Sequence, residues 1–232
     1  MLLGVNINYT DLKNNIFDAD LNKIVLISEK AGINSITLKL TQENDLFGNV
    51  FQELSNVSGI KLNLEIPILK EFQQFALKLR HHACYISPEQ SCENTSLNGV
   101  NVAGQLPRLI SFVGPLFLSG VNAGIIVSPD TEQIQAASNT GVRLIELHAA
   151  IYENSAGTEN EKYEFEKLES AVEFAKGLNL SVRVGRGLNY RNISKIKEIK
   201  GISELNIGHA LMSRALSVGF ETAVRELKEL ID

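Results

Sequence analysis

Charged side chains interrupt apolar runs at three places in this sequence. Lys39 lies in "ITLKL", Glu65 in "LNLEIPI", and Glu146 with His148 in "LIELHAA". A charge inside an apolar strand is costly to bury unless it is paired or used. If Lys39 and Glu65 both face inward, they form an ion pair. That pair either holds the fold together or sets a base beside a cation, each shifting the other's pKa. An inward lysine is also able to form a Schiff base with a carbonyl substrate. Glu146 and His148 are two residues apart, so in a regular strand they point the same way. Two glycine-bearing stretches add a second kind of chemistry. "RVGRGLNYR" (183–191) sets Arg186 between Gly185 and Gly187, and "NIGHALMSRALSVG" (206–219) runs from Gly208 and His209 into a short helical pattern. Each reads either as a tight turn or as a backbone cradle for a phosphate, where free N–H groups point at an anion.

These residues need elements to position them. Eight strand-length apolar runs are predicted: 2–8, 35–40, 61–67, 83–88, 122–128, 143–150, 180–185 and 202–208. Helical periods lie between them. Phe165, Leu168, Val172 and Ala175 share one helix face, and Phe220, Ala223, Val224, Leu227 and Ile231 share another. Asp130 or Ser128 caps a helix that begins near Pro129. Strand then helix, eight times, predicts an α/β chain folded as a (β/α)8 TIM barrel with extra helices, a single domain over 1–232. A doubly wound open sheet is the alternative. The stretch 89–121 is longer than one loop and helix need, so an extra helix or lid is expected after the fourth strand. In such barrels chemistry sits at the C-terminal strand ends, and phosphate is often bound by the loops after strands seven and eight. Those are the positions of "GRG" and "GHA".

Composition removes several classes of function. The chain has 232 residues, 44% of them hydrophobic, and a net charge of −5 with no long basic block, so neither nucleic acid nor an anionic membrane is an expected partner. The lysines of "SKIKEIK" (194–200) read as the wet face of a helix, and His81-His82 as a solvated helix end. No apolar run approaches the roughly 20 residues of a membrane span. The start, "MLLGVNIN", lacks the charged region of a signal peptide. Cys84 and Cys92 have no metal-ligand spacing and read as reduced thiols, so the expected location is cytoplasmic, with no bound metal.

The chain resembles the pyridoxine 5′-phosphate synthase family of vitamin B6 biosynthesis. The resemblance rests on "LLGVNI", "AGINSITL", "NLEI", "GVNVAGQ", "DTEQIQAA", "IELHAAIY", "GLNLSVRVGRGLNY" and, most specifically, "ELNIGHALMSRAL". It implies a cytoplasmic barrel assembled as a homo-oligomer, commonly an octamer. It implies a transferase that condenses 3-amino-2-oxopropyl phosphate with 1-deoxy-D-xylulose 5-phosphate without a metal or organic cofactor. By the same resemblance Glu65 is a general acid/base and Glu146 stabilises charged intermediates. Asn6 and Ser96 then bind substrate, while Gly187, Gly208 and His209 contact substrate and phosphate. The chain departs from the family pattern elsewhere. Asn8-Tyr9 stands for Asp-His, Lys39-Leu40-Thr41 for His-x-Arg, and Arg186 for the histidine of Gly-His-Gly. Lys39 and Arg186 thus enter as candidate pocket cations. The alternative reading is a silent paralogue that binds phosphorylated metabolites or a partner protein without turnover.

Overall fold

A computed structural model describes residues 1–8, 21–42, 59–79, 82–88 and 99–232. Its eight strands are β1 (Leu2–Asn8), β2 (Ser35–Lys39), β3 (Lys61–Pro67), β4 (Ala83–Ser87), β5 (Asn122–Val127), β6 (Leu144–His148), β7 (Ser181–Gly185) and β8 (Ile202–Ile207). They pair in parallel, each with the next, and β8 closes onto β1. All eight predicted runs are strands, and the sheet is a closed barrel rather than an open one.

The helices among the described residues are α1 (Leu21–Lys30), α2 (Lys70–Lys78), α3 (Leu106–Leu118), α4 (Thr131–Asn139), α5 (Ala150–Asn154), α6 (Glu161–Gly177), α7 (Ile193–Ile196), α8 (His209–Val218) and α9 (Phe220–Ile231). Local signals account for several of their limits. Asp130 caps α4, its carboxylate accepting from the N–H groups of Glu132 at 2.9 Å and Gln133 at 3.2 Å. The expected faces of α6 and α9 are buried at Leu168, Val172 and Ala175, and at Ala223, Val224, Leu227 and Ile231. After β4 the described chain has a 3-10 turn (Ala103–Gln105) and α3. An additional lid there would fall on residues 89–98, outside the described ones.

Strand alternation divides the interior into two regions of opposite character. The outward face of the barrel is aliphatic, with Leu3, Val5, Ile36, Leu38, Leu64, Ile66, Ile125, Leu147, Val184 and Leu205 fully or almost fully buried beneath the helices. This layer is the main core. The inward face carries Thr37, Asn63, Glu65, Glu146, Arg183 and Asn206, all buried polar groups. A small apolar cluster of Ala83, Tyr85 and Ile126 accompanies them. The hydrophobic effect therefore acts outside the barrel, leaving its lumen to hold charge. Among the described residues, no helix is long and apolar enough to cross a membrane.

Candidate functional site

Parallel register sets the charged residues side by side. Lys39 on β2 is level with Glu65 on β3, and Glu146 on β6 is level with Arg183 on β7. Arg183 is in turn level with Glu204 on β8. Glu65 is fully buried. Its Oε2 accepts from Asn6 Nδ2 at 2.8 Å, and its Oε1 accepts from the Arg186 guanidinium. Lys39 Nζ stands 3.7 Å from the same Oε1. Burial pushes the Glu65 carboxyl up, but Arg186 and Lys39 outweigh it and hold the group below its ordinary 4.5. Burial, helped by the Arg186 charge, pulls Lys39 below its ordinary 10.5 against the opposing pull of Glu65.

Glu146 belongs to a second, deeper cluster. Its Oε2 accepts from Arg183 Nε and, at 3.1 Å, from Asn206 Nδ2. Its Oε1 lies 3.9 Å from Arg186 Nε and has no hydrogen-bond partner among the described residues. Arg183, only 2% exposed, also donates to Thr37 Oγ1 at 3.1 Å and lies 3.9 Å from Glu204 Oε1. Its guanidinium carbon sits 3.3 Å from the centre of the Tyr85 ring. Burial opposes the Arg183 charge, yet Glu146, Tyr85 and Glu204 raise its pKa above the ordinary value. The two clusters meet at Arg186, which reaches both carboxylates.

Arg186 owes its reach to an unusual backbone. Its φ is 52°, in the left-handed region that non-glycine residues rarely adopt. Gly187 follows with φ 101°, and a Cβ there would lie 2.7 Å from Ala150 Cα and 2.8 Å from Ala150 N. The turn after β7 is thus pressed against the start of α5, and no larger residue fits. At the end of β8 a Cβ on Gly208 would lie 2.8 Å from the carbonyl oxygen of Asn6. Gly208 caps α8, so the first N–H groups of that helix open at the barrel mouth. Gly185 makes room too, since a Cβ there would lie 2.7 Å from Glu146 Oε1.

One cavity of about 640 Å³ joins these parts. Asn6, Asn8, Lys39, Glu65, Arg186, Gly187, Asn206, Gly208 and His209 line it, with Glu153 and Leu216 toward the helices. That volume suits a small-molecule site. The sequence-predicted Asn6, Lys39, Glu65, Arg186, Gly187, Gly208 and His209 therefore share one space. Glu146 is placed just beneath it, one arginine away from Glu65. His148 is buried beside it, Nδ1 accepting from the Ala150 N–H at 3.3 Å, and is not among the cavity-lining residues. Ser96, Tyr9 and Cys92 lie outside the described residues. Among the described residues no three His, Cys, Asp or Glu side chains form a group able to hold a metal ion.

Sequence reasoning missed Arg183, Thr37, Tyr85 and Glu204. For Arg183 a signal was present: like Glu65, it is a charge in mid-strand between buried valines, in "SVRVG".

Comparisons with known proteins agree over nearly the whole chain. Residues 3–232 match the family described as "Pyridoxal phosphate biosynthesis protein PdxJ". The chain is 35% identical over 240 residues to the pyridoxine 5′-phosphate synthase of Sulfurihydrogenibium sp. (strain YO3AOP1), covering 100% of this chain and 98% of that one. It is 32% identical over 235 residues to the pyridoxine 5′-phosphate synthase of Blochmanniella pennsylvanica (strain BPEN), covering 100% and 96%. Among solved structures, tryptophan synthase subunit alpha from Legionella pneumophila superposes with a TM-score of 0.68 at 12% identity, over 100% of this chain and 92% of that one. Thiamine phosphate pyrophosphorylase from Pyrococcus furiosus does so with a TM-score of 0.66 at 14% identity, over 99% and 95%. At such identity the likeness is one of fold alone.

Proposed function

The chain belongs to the PdxJ family of pyridoxal phosphate biosynthesis proteins, and from that premise we propose that it catalyses the pyridoxine 5′-phosphate synthase reaction. In it, 3-amino-2-oxopropyl phosphate condenses with 1-deoxy-D-xylulose 5-phosphate, inorganic phosphate leaves, and the pyridine ring closes. The observation that carries this reading is the cavity of about 640 Å³, in which a buried carboxylate faces two cations and two glycine loops.

Both substrates carry a phosphate, so the site needs two anion-binding regions. Gly208 and His209 offer the open N-terminus of α8, and Gly187 the turn after β7. Arg186 and Lys39 add positive charge beside them. Glu65 enters the cycle ionised and so starts as a proton acceptor. Drawing Arg186 onto a substrate phosphate removes the nearest cation from Glu65 and raises its basicity at the moment a proton must move. Glu146, one arginine deeper, places its carboxyl group toward the iminium-like intermediates. Asn6, already bonded to Glu65, orients both carboxylate and substrate. In this reading the steps are condensation, elimination and proton transfer, so no metal or organic cofactor takes part. Self-assembly into a homo-oligomer, up to an octamer, belongs to the same proposal.

A second reading has its own supporting observation. Arginine does not give up its proton, and both Arg186 and Lys39 are engaged with Glu65. That arrangement also suits a protein that binds phosphorylated metabolites without turning them over. An assay with both substrates separates the two. The first reading expects pyridoxine 5′-phosphate and phosphate in equal amounts, with Glu65→Gln slowing kcat by about 100- to 10,000-fold. Folded protein that binds phosphate esters yet forms no product overturns it.

A further inference from the structure

We propose that Lys39 is a nucleophile that captures the carbonyl of a phosphorylated ketose as an iminium and hands it to the amine of the second substrate. The inference deepens the synthase reading and rests on it for the identity of the ketose.

The distribution of partners singles Lys39 out. Both oxygens of Glu65 are already taken, Oε1 by Arg186 and Oε2 by Asn6. Glu146 Oε2 is taken by Arg183 and Asn206. Among the described residues, the closest carboxylate approach of Lys39 Nζ is the 3.7 Å to Glu65 Oε1, looser than the contacts the arginines make. Of the three lumen cations, Arg186 at the cavity and Arg183 beneath it hold the carboxylates by direct hydrogen bonds. A guanidinium does not release its proton, so when the site sheds positive charge the lysine is the group that sheds it. Burial and the neighbouring Arg186 push Lys39 in the same direction. The amine is reachable, its side chain 26% exposed and lining the cavity at the C-terminal end of β2. A partly desolvated lysine beside another cation, opening onto a pocket, meets the usual requirement for Schiff-base chemistry.

The step balances without an outside reagent. The Lys39 amine adds to the ketone carbon, forming a C–N bond, and the carbonyl oxygen takes up a proton to give a carbinolamine. That oxygen then takes up the proton the lysine ammonium gave up on becoming an amine and leaves as water, while the nitrogen keeps its last hydrogen, so ammonium and ketone become iminium and water. The amine of the second substrate then adds to the same carbon, and the bond to Lys39 breaks. Lys39 is restored, and the imine joins the two substrates.

Reductive trapping tests this. The intact protein is incubated with 1-deoxy-D-xylulose 5-phosphate alone and cyanoborohydride, then analysed by intact mass and peptide mapping. The expected result is one reduced ketose adduct on the peptide bearing Lys39, absent from Lys39→Arg, which keeps the cation but cannot form the iminium. No adduct at saturating ketose, or equal adduct in Lys39→Arg, overturns the proposal. The synthase reading fails separately: an adduct on Lys39 without product from both substrates keeps the nucleophile and removes the reaction. Product from both wild type and Lys39→Arg at equal rates keeps the reaction and removes the nucleophile.

Discussion

Replacing Arg183 by methionine probes the charged lumen most sharply. The side chain is 2% exposed, donates to Glu146 and Thr37, lies near Glu204 and stacks on Tyr85. Methionine fills similar volume, so the loss is mainly electrostatic. Glu146, fully buried, would retain only the Asn206 amide at 3.1 Å and the distant Arg186 Nε at 3.9 Å. Removing one partner of a buried ion pair costs about 3–5 kcal/mol, because the remaining charge is uncompensated. Loss of the stack on Tyr85 adds about 0.5–2 kcal/mol. For a chain of this length each kcal/mol lowers Tm by about 2–4 °C, so Arg183→Met is expected to melt on the order of 10–20 °C below wild type. Adding Glu146→Gln removes the stranded charge, and the double variant should be more stable than Arg183→Met alone. Thermal melts and denaturant titrations by circular dichroism on the four proteins give the coupling energy. A single variant within about 0.5 kcal/mol of wild type, or strictly additive losses, would refute the reasoning that Arg183 is the structural counter-charge of Glu146.

Acid stability should depend on Glu65. Its folded pKa lies below the ordinary 4.5, so its contribution is present above that value and is lost as pH falls through the lower, folded one. Tm should hold from about pH 7 to about pH 5 and then fall, with a shallower fall in Glu65→Gln; identical acid limbs would remove Glu65 from that role. Gly208→Ala places a methyl 2.8 Å from the Asn6 carbonyl oxygen at an otherwise ordinary φ of −130°. It should weaken phosphate-ester binding by at least about tenfold, equivalent to about 1.4 kcal/mol, with the fold retained; unchanged affinity by calorimetry would take the anion site away from α8. Gly187→Ala adds left-handed strain to its clash with Ala150, so it should cost more stability than Gly208→Ala, as compared in parallel melts.

How far the sequence discloses this arrangement depends on the range over which each cause acts. Every strand of the barrel is legible because burial beneath helices imposes an apolar run on it, as in "SITLKL" and "NLEIPI". Lys39 and Glu65 stand out because they interrupt such runs, and strand register then brings them level. Arg186 is legible as a cation in a glycine turn, but its contact with Glu65 joins residues 121 positions apart and leaves no local trace. Arg183 breaks an apolar run just as Glu65 does, yet "SVRVG" is short, and the partners that make the charge tolerable lie on β2, β4, β6 and β8. A polar lumen inside an apolar shell follows from alternation once closure is known, and closure is a property of all eight strands together.

By the proposed function, this cavity performs the condensation while carrying Lys39 and Arg186. The most direct measurement is product formation from 3-amino-2-oxopropyl phosphate and 1-deoxy-D-xylulose 5-phosphate, followed by chromatography of pyridoxine 5′-phosphate alongside a phosphate-release assay. Both products are expected in equal amounts, at a rate that collapses in Glu65→Gln. Folded wild-type protein that binds either substrate but yields no pyridoxine 5′-phosphate above the uncatalysed background would contradict it.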